Sequence, residues 1–291
     1  CPYFYFSDLV VGETTCDGKK KMYEYMAEFK PVHVMQLPNS ASDDASRALW
    51  RAEILRLQAT LEQQFGRKIS EHDLRAAIAL KNQEREALSS FYRLGQLNPP
   101  ALSGVEILKV VYGATFKFDK NALIDELNAL TAKVRQEYEQ GKRLEPRPRI
   151  LITGCPIGGA AEKVVRAIEE NGGWVVGYEN CTGAKATEMQ VNEEGDVYDA
   201  LTDKYLAIGC SCISPNTQRL NLLSQMIDEY QADGVIDVIL QACHTYAVES
   251  LAIKRHVRQQ HDIPYMAIET DYSNSDIGQL NTRVSAFIEM M

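Results

Sequence analysis

The stretch RILITGCPIGGAAEKVVRAIEENGGWVVGYEN (149–180) decides the fold of this chain. It begins with a short apolar strand, 150–154, and passes through a turn of small residues into a helix whose apolar residues recur at helical spacing. Gly172 and Gly173 end that helix, and 174–180 is predicted to be the next strand. A strand, a helix and a second strand in this order predict parallel strands joined by a right-handed crossover.

The same alternation continues to the end of the chain. Further strands are predicted at 234–242 and 263–269. Helices are predicted at about 194–207, 216–231, 245–260 and 276–290. In the closing helix and in 245–260, apolar stripes fit either the core or a dimer interface, and core packing is the commoner use.

The chain before residue 149 gives a different pattern. Strands are predicted only at 3–15 and 32–38, and long helices fill most of 43–140. The basic, proline-bearing segment 141–149 is typical of a linker. We therefore predict two Rossmann- or flavodoxin-like α/β domains with parallel sheets. The N-terminal domain, 1–145, is expected to be incomplete at its start and to carry the long helices, and the C-terminal domain is 146–291.

Composition excludes several classes of function. Of the 291 residues, 45% are hydrophobic and 24% are charged, as in a globular protein, and the net charge is −9. Nucleic acids and anionic membranes need clustered Lys and Arg, so neither is expected as a partner. No apolar run approaches the roughly 20 residues of a membrane-spanning helix, and no signal peptide opens the chain. We expect a cytoplasmic location.

The cysteines give the main indication of function. Two of the seven flank a strand of the first half, and five follow strands or occupy loops of the second half: Cys1, Cys16, Cys155, Cys181, Cys210, Cys212 and Cys243. Ligands of parallel α/β sheets bind at the carboxyl ends of the strands. In the cytoplasm, grouped cysteines are more often metal ligands or catalytic groups than disulfides. The pattern favours an iron–sulfur site, since the C-x₂₋₄-C pairs of structural zinc sites are absent.

Some cysteines allow two interpretations. Cys16 precedes a helix with three lysines in its first turn, which favours a thiolate, although a solvated surface turn fits equally well. Cys155 lies in a glycine-rich turn that lacks the G-x-G-x-x-G spacing, so packing explains its glycines as well as phosphate binding does. Cys210 and Cys212 offer one ligand or two, and the geometry of closely spaced thiols favours one. His244 is either an acid–base group or a capped structural histidine.

At several separated motifs the chain resembles the 2-hydroxyacyl-CoA dehydratase D-component family, which includes benzoyl-CoA reductase subunits. The similar stretches span the chain: TTCDGKKKMYEYM (14–26), PPALSG (99–104), ILITGCPIGG (150–159), QACHTYAVES (241–250), IETDYS (268–273) and LNTRVSAFIE (280–289). Cys16 and Cys243 match cysteines shared with the dehydratases. The additional cysteines make the chain most similar to the double-cubane cluster proteins of this family.

The resemblance implies a ligand set and a reaction class. Cys1, Cys16, Cys181, Cys210 and Cys243 would hold a double-cubane 8Fe-9S cluster, with Cys212 an alternative to Cys210, and Cys155 a ligand or a lining residue. An ATP-hydrolysing iron–sulfur reductase would supply electrons to a homodimer that reduces a small molecule. The alternatives are a dehydratase subunit with a single 4Fe-4S cluster and an acyl-CoA substrate, or a non-catalytic electron-storage or metal-binding protein. Family members also carry an upstream segment with a further Tyr-Cys motif that should supply another ligand, and we expect this chain to lack that segment and its ligand.

Overall fold

The computed structural model describes residues 2–155 and 158–291. The chain forms two compact units: the first runs to Ala79 and includes Val191–Asn216, and the second comprises Leu80–Gln190 and Thr217–Met291. Cys1, a predicted ligand, lies outside the described residues. The domain boundary proposed from the sequence, between residues 145 and 146, stays a prediction.

The first unit contains a small parallel sheet and long helices. Its two strands pair in parallel, with Val10 opposite Val32. The prediction of a strand at 3–15 is wrong for its first part, which is helical and begins with Pro2, a residue that the first turn of a helix tolerates. The elements are α1 (Pro2–Phe6), β1 (Val10–Glu13), α2 (Asp17–Met26), β2 (Val32–Met35), α3 (Asp44–Phe65), the start of α4 (Glu71–Tyr92) and α9 (Val197–Leu206).

The second unit is built on a four-stranded parallel sheet whose strands lie side by side in the order 174–178, 149–154, 234–240 and 265–270, which confirms the predicted α/β class. Every strand predicted after residue 149 is present. The strands are β3 (Arg149–Gly154), β4 (Trp174–Tyr178), β5 (Gly234–Leu240) and β6 (Tyr265–Thr270). The helices are α5 (Gly104–Ala114), α6 (Lys120–Glu139), α7 (Gly159–Glu170), α8 (Ala184–Thr187), α10 (Thr217–Glu229), α11 (His244–Gln260) and α12 (Ile277–Ile288), with a 3₁₀ turn at Arg93–Gln96.

Both faces of this sheet are covered by helices. Ile150 and Ile152 of β3 pack on one face with α5, α6, α7 and α12, whereas Leu151 packs on the other face with α10 and α11. Alternate residues of a strand point to opposite faces, so a strand covered on both sides is apolar throughout. This explains why the strands appear in the sequence as continuous apolar runs, and their parallel pairing brings their carboxyl ends to one edge of the sheet.

The apolar stripes of α12 and α11 are buried to different degrees. In α12, Leu280, Val284 and Phe287 are buried, which confirms core packing. In α11, Ile253 is buried, but Val248 is 78% exposed. None of the described helices is both long enough and apolar enough to cross a membrane.

Candidate functional site

Three cysteines of the second unit meet at the carboxyl edge of its sheet. Cys155 follows β3, Cys181 lies after β4, and Cys243 lies between β5 and α11. Because β4, β3 and β5 are neighbours and parallel, their following loops leave from the same edge. The Cys155 thiol forms a hydrogen bond with the sulfur of Cys243, and the sulfur of Cys181 is close enough to act on Cys155 electrostatically.

The environment of Cys243 favours its thiolate. The hydrogen bond from Cys155 lowers the pKa of Cys243 to about 5, against the opposing effect of burial. The backbone N–H of Tyr246 and the hydroxyl of Thr245, 3.8 Å away, contribute further because the sulfur lies at the N-terminus of α11. The same hydrogen bond and burial raise the pKa of Cys155, whose sulfur also accepts the N–H of Leu240 at 3.2 Å. A thiol therefore lies beside a thiolate.

Unusual backbone conformations precede two of these cysteines. Gly154 has φ +116°, and a Cβ there would lie 1.9 Å from the carbonyl oxygen of Val238. Only glycine fits, and the close approach brings the start of the Cys155 turn onto β5. Ala242 has φ +66°, a value that residues other than glycine seldom adopt. Such conformations cluster at functional sites, where the surrounding structure maintains them.

A network of ionisable side chains lies beneath this edge. Arg219 Nη1 lies 2.5 Å from Glu249 Oε2, and its Nε lies 3.3 Å from Glu179 Oε2. Its Nη2 lies 3.6 Å from Asp237 Oδ1 and donates to the Thr153 hydroxyl at 2.8 Å. Three carboxylates therefore surround one guanidinium, which compensates the cost of burying them. The ionisable members are Glu179, Lys185, Arg219, Asp237 and Glu249.

Burial and neighbouring charges act in opposite directions on the pKa values of Asp237 and Arg219. Burial raises the pKa of Asp237, and the guanidinium of Arg219 opposes that shift. Burial lowers the pKa of Arg219, but the carboxylates of Glu179 and Asp237 more than offset it, so the net shift is upward. None of these residues was predicted from the sequence. The available signal was a charged residue within a strand that is otherwise apolar, as Asp237 is in GVIDVIL (234–240).

Lys185 and Tyr246 connect the network to the cysteines. The Lys185 ammonium forms an ion pair with Glu179 Oε1 at a distance of 3.0 Å. Glu179 Oε1 is buried and accepts no hydrogen bond from the described residues. It also donates a hydrogen bond of 3.0 Å to the Tyr246 hydroxyl. That hydroxyl lies 3.7 Å from Cys181 Sγ. A chain of contacts therefore runs from a buried carboxylate to a cysteine sulfur.

The other predicted residues lie elsewhere. Cys16 is exposed and is the N-cap residue of α2, whereas Cys210 and Cys212 lie in the loop between α9 and α10 rather than at a strand end. All three belong to the first unit, and their role as ligands stays a prediction. His244 is exposed at the start of α11. None of the six cysteines within the described residues is in a disulfide.

The donor set of the second unit fits an iron–sulfur cluster by its chemistry. Thiolates are the ligands of such clusters, and Cys243 is poised as a thiolate. Among residues 2–155 and 158–291, three or more His, Cys, Asp or Glu side chains are nowhere arranged to hold a single metal ion. The fit therefore rests on the soft sulfur donors that three loops bring together.

Comparison with known proteins places this chain in a family. The family model described as "2-hydroxyglutaryl-CoA dehydratase, D-component" matches residues 2–291. The "Putative dehydratase subunit YjiM" of Escherichia coli (strain K12) is 82% identical over 291 residues, covering 100% of this chain and 76% of that protein. The "(R)-phenyllactyl-CoA dehydratase beta subunit" of Clostridium sporogenes is 25% identical, covering 91% and 68%. A benzoyl-CoA reductase subunit of Thauera aromatica is 21% identical, covering 98% and 74%. The chain belongs to the 2-hydroxyglutaryl-CoA dehydratase D-component family.

Proposed function

We propose that this chain is an iron–sulfur protein whose cysteines hold a double-cubane cluster. The observation that carries the proposal is the meeting of Cys155, Cys181 and Cys243 at the carboxyl edge of one parallel sheet. Cys1, Cys16 and Cys210 complete the proposed ligand set, with Cys212 the alternative to Cys210. The contact between Cys155 and Cys243 gives Cys155 a stronger claim to be a ligand than its sequence did.

The residues around the sulfurs would set the electronic properties of the site. When bound, the cluster would supply electrons at low potential. N–H groups at the start of α11 and the N–H of Leu240 would stabilise negative charge on the sulfurs. The Arg219 network would hold the loops that carry Cys181 and Cys243 in fixed positions, because Glu179 lies in the same loop as Cys181, and Glu249 lies on α11, the helix that begins directly after Cys243.

The reaction that we propose is reduction of a small molecule. Electrons would come from a separate ATP-hydrolysing iron–sulfur reductase, and the chain would act as a homodimer in the cytoplasm. The support is the resemblance of the whole chain to the double-cubane proteins, together with its family membership. The test is turnover with and without the reductase and ATP. A rate that is the same in both cases with a simple chemical reductant would contradict the proposal.

A second candidate function is that of a dehydratase subunit. It is favoured by the names of two relatives, a putative dehydratase subunit and the (R)-phenyllactyl-CoA dehydratase beta subunit. In that case the chain would act on a 2-hydroxyacyl-CoA with a different partner subunit and a single 4Fe-4S cluster. Loss of water from an acyl-CoA substrate, observed only after a second subunit is added, would favour this function over the first.

Serine replacements test the ligand set directly. Cys181→Ser and Cys243→Ser should each lower the iron content of anaerobically purified protein, because serine is a poor ligand for iron–sulfur clusters. Cys210→Ser and Cys212→Ser form a matched pair, and only the replacement of the true ligand should lower iron. Full iron content in both Cys181→Ser and Cys243→Ser would contradict the proposed site.

A further inference from the structure

A buried tyrosine contacts one of the proposed ligands. Tyr246 lies in the first turn of α11, is only 5% exposed, and places its hydroxyl 3.7 Å from Cys181 Sγ. A thiolate bound to a metal has no proton and can only accept hydrogen bonds. In any hydrogen bond with a ligated Cys181, the tyrosine must therefore be the donor.

The partner of Tyr246 on its other side supports the same direction. Lys185 lies 3.0 Å from the phenol oxygen, and an ammonium group can only donate. The phenol oxygen therefore accepts from Lys185, and its own proton is directed elsewhere. Because a charged donor polarises the phenol, the O–H becomes a better donor to sulfur.

The ring of Tyr246 is also held in place. The guanidinium of Arg219 lies 4.7 Å from its centroid, and the ammonium of Lys185 lies 5.0 Å from it. Both cations are paired with Glu179, whose side chain is fully buried. The hydroxyl is therefore positioned by two cation–π contacts and a hydrogen bond rather than by rotamer preference alone.

We propose that Tyr246, anchored by Lys185, is a positioning residue that donates a hydrogen bond to the Cys181 sulfur and raises the reduction potential of the cluster. This inference rests on the proposed function. Hydrogen bonds to ligand sulfurs are among the factors that set cluster potentials. A donor stabilises the more negative, reduced state more than the oxidised state, so its removal should make the potential more negative.

The test compares Tyr246→Phe with Tyr265→Phe. Tyr265 is also a buried tyrosine, but its hydroxyl donates to Asp237 at 2.8 Å rather than to a cysteine. With iron content equal to that of the wild type, Tyr246→Phe should shift the reduction equilibrium about tenfold towards the oxidised state, which is 59 mV for one electron. Tyr265→Phe should leave the potential unchanged. Lys185→Met, which removes the anchor of the phenol together with a buried positive charge, should shift the potential in the same direction.

A second readout does not need the cluster. In the chelated, metal-free chain, the rate of alkylation of Cys181 by iodoacetamide should change by about threefold in Tyr246→Phe and stay unchanged in Tyr265→Phe, because only the Tyr246 hydroxyl contacts the Cys181 sulfur. Absence of iron from the wild type would refute the proposed function. In that case the alkylation rate would still test the hydrogen bond between Tyr246 and Cys181. Unchanged potential in an iron-loaded Tyr246→Phe, or an unchanged alkylation rate in the metal-free variant, would overturn the inference.

Discussion

At the scale of the residue, Gly154 positions the first cysteine of the site. Gly154→Ala should destabilise the fold by about 2–4 kcal/mol, because its φ is +116° and a Cβ would overlap the Val238 carbonyl oxygen. Urea unfolding measures this. The matched control is Gly113→Ala, a helical glycine with open space around it, which should gain up to about 1 kcal/mol. Equal effects from the two substitutions would contradict this account of the turn.

Glu169 gives the fold a pH dependence. Its carboxylate accepts the N–H of Gly104 at the start of α5, and burial raises the pKa of Glu169 from 4.5 to about 7. The folded protein therefore binds more protons than the unfolded chain between these values, so stability is highest below pH 4.5 for this group and is lost as pH rises to about 7.

Glu169→Gln should remove that dependence, because the amide oxygen still accepts the N–H and carries no charge. We expect the free energy of unfolding of the variant to change less with pH between 4.5 and 7 than that of the wild type, when both are measured by urea unfolding. Glu170→Gln, on the exposed side of the same helix, is the control and should follow the wild type. A wild-type profile in Glu169→Gln would show that another group is responsible.

At the scale of the element, Arg219 joins α10 to β3, to β5, to the residue after β4 and to α11. Arg219→Met should cost about 3–5 kcal/mol, because it leaves the buried carboxylate of Asp237 without its cation and Glu179 with Lys185 alone. Arg166→Met is the control, since its ion pair with Glu162 is exposed and should contribute less than about 0.5 kcal/mol. Thermal unfolding compares the two. A small effect at Arg219 would mean that the carboxylates are protonated or solvated in the folded state.

The start of α5 offers a separate test at this scale. The Ser103 hydroxyl oxygen accepts a hydrogen bond from the backbone N–H of Glu106. In turn, the Glu106 carboxylate accepts one from the backbone N–H of Ser103. Ser103→Ala should cost about 1 kcal/mol in urea unfolding, as loss of a capping box does. Ser285→Ala, at a half-buried position inside α12 where the hydroxyl bonds the side chain of Glu289, should cost less. Equal costs would mean that the cap is not what starts α5.

Regular elements were more predictable than the irregular ones. The strands after residue 149 were found because burial on both faces makes them continuously apolar. The prediction of helix over most of 43–140 covered α5 but did not identify its start, although Ser103 and Glu106 carry the S-x-x-E signature of its cap. The strand prediction at 3–15 failed over 3–6 because aromatic residues favour strands, whereas here they form a short helix.

At the scale of the whole molecule, the family resemblance drawn from dispersed motifs is confirmed by the match over residues 2–291. The sequence placed Cys155, Cys181 and Cys243 after strands, and in the structure all three lie at the carboxyl edge of the sheet. The Arg219 network could not be predicted in the same way, because its members are far apart in sequence and become neighbours only when the sheet forms.

The central claim is that the chain holds an iron–sulfur cluster, and its most direct test is iron and acid-labile sulfide analysis of the anaerobically purified protein. By the family resemblance, about eight irons per chain of the full-length protein are predicted for a double cubane, whereas about four would favour the dehydratase-like site. Protein that folds fully under these conditions but retains neither iron nor sulfide would contradict the account.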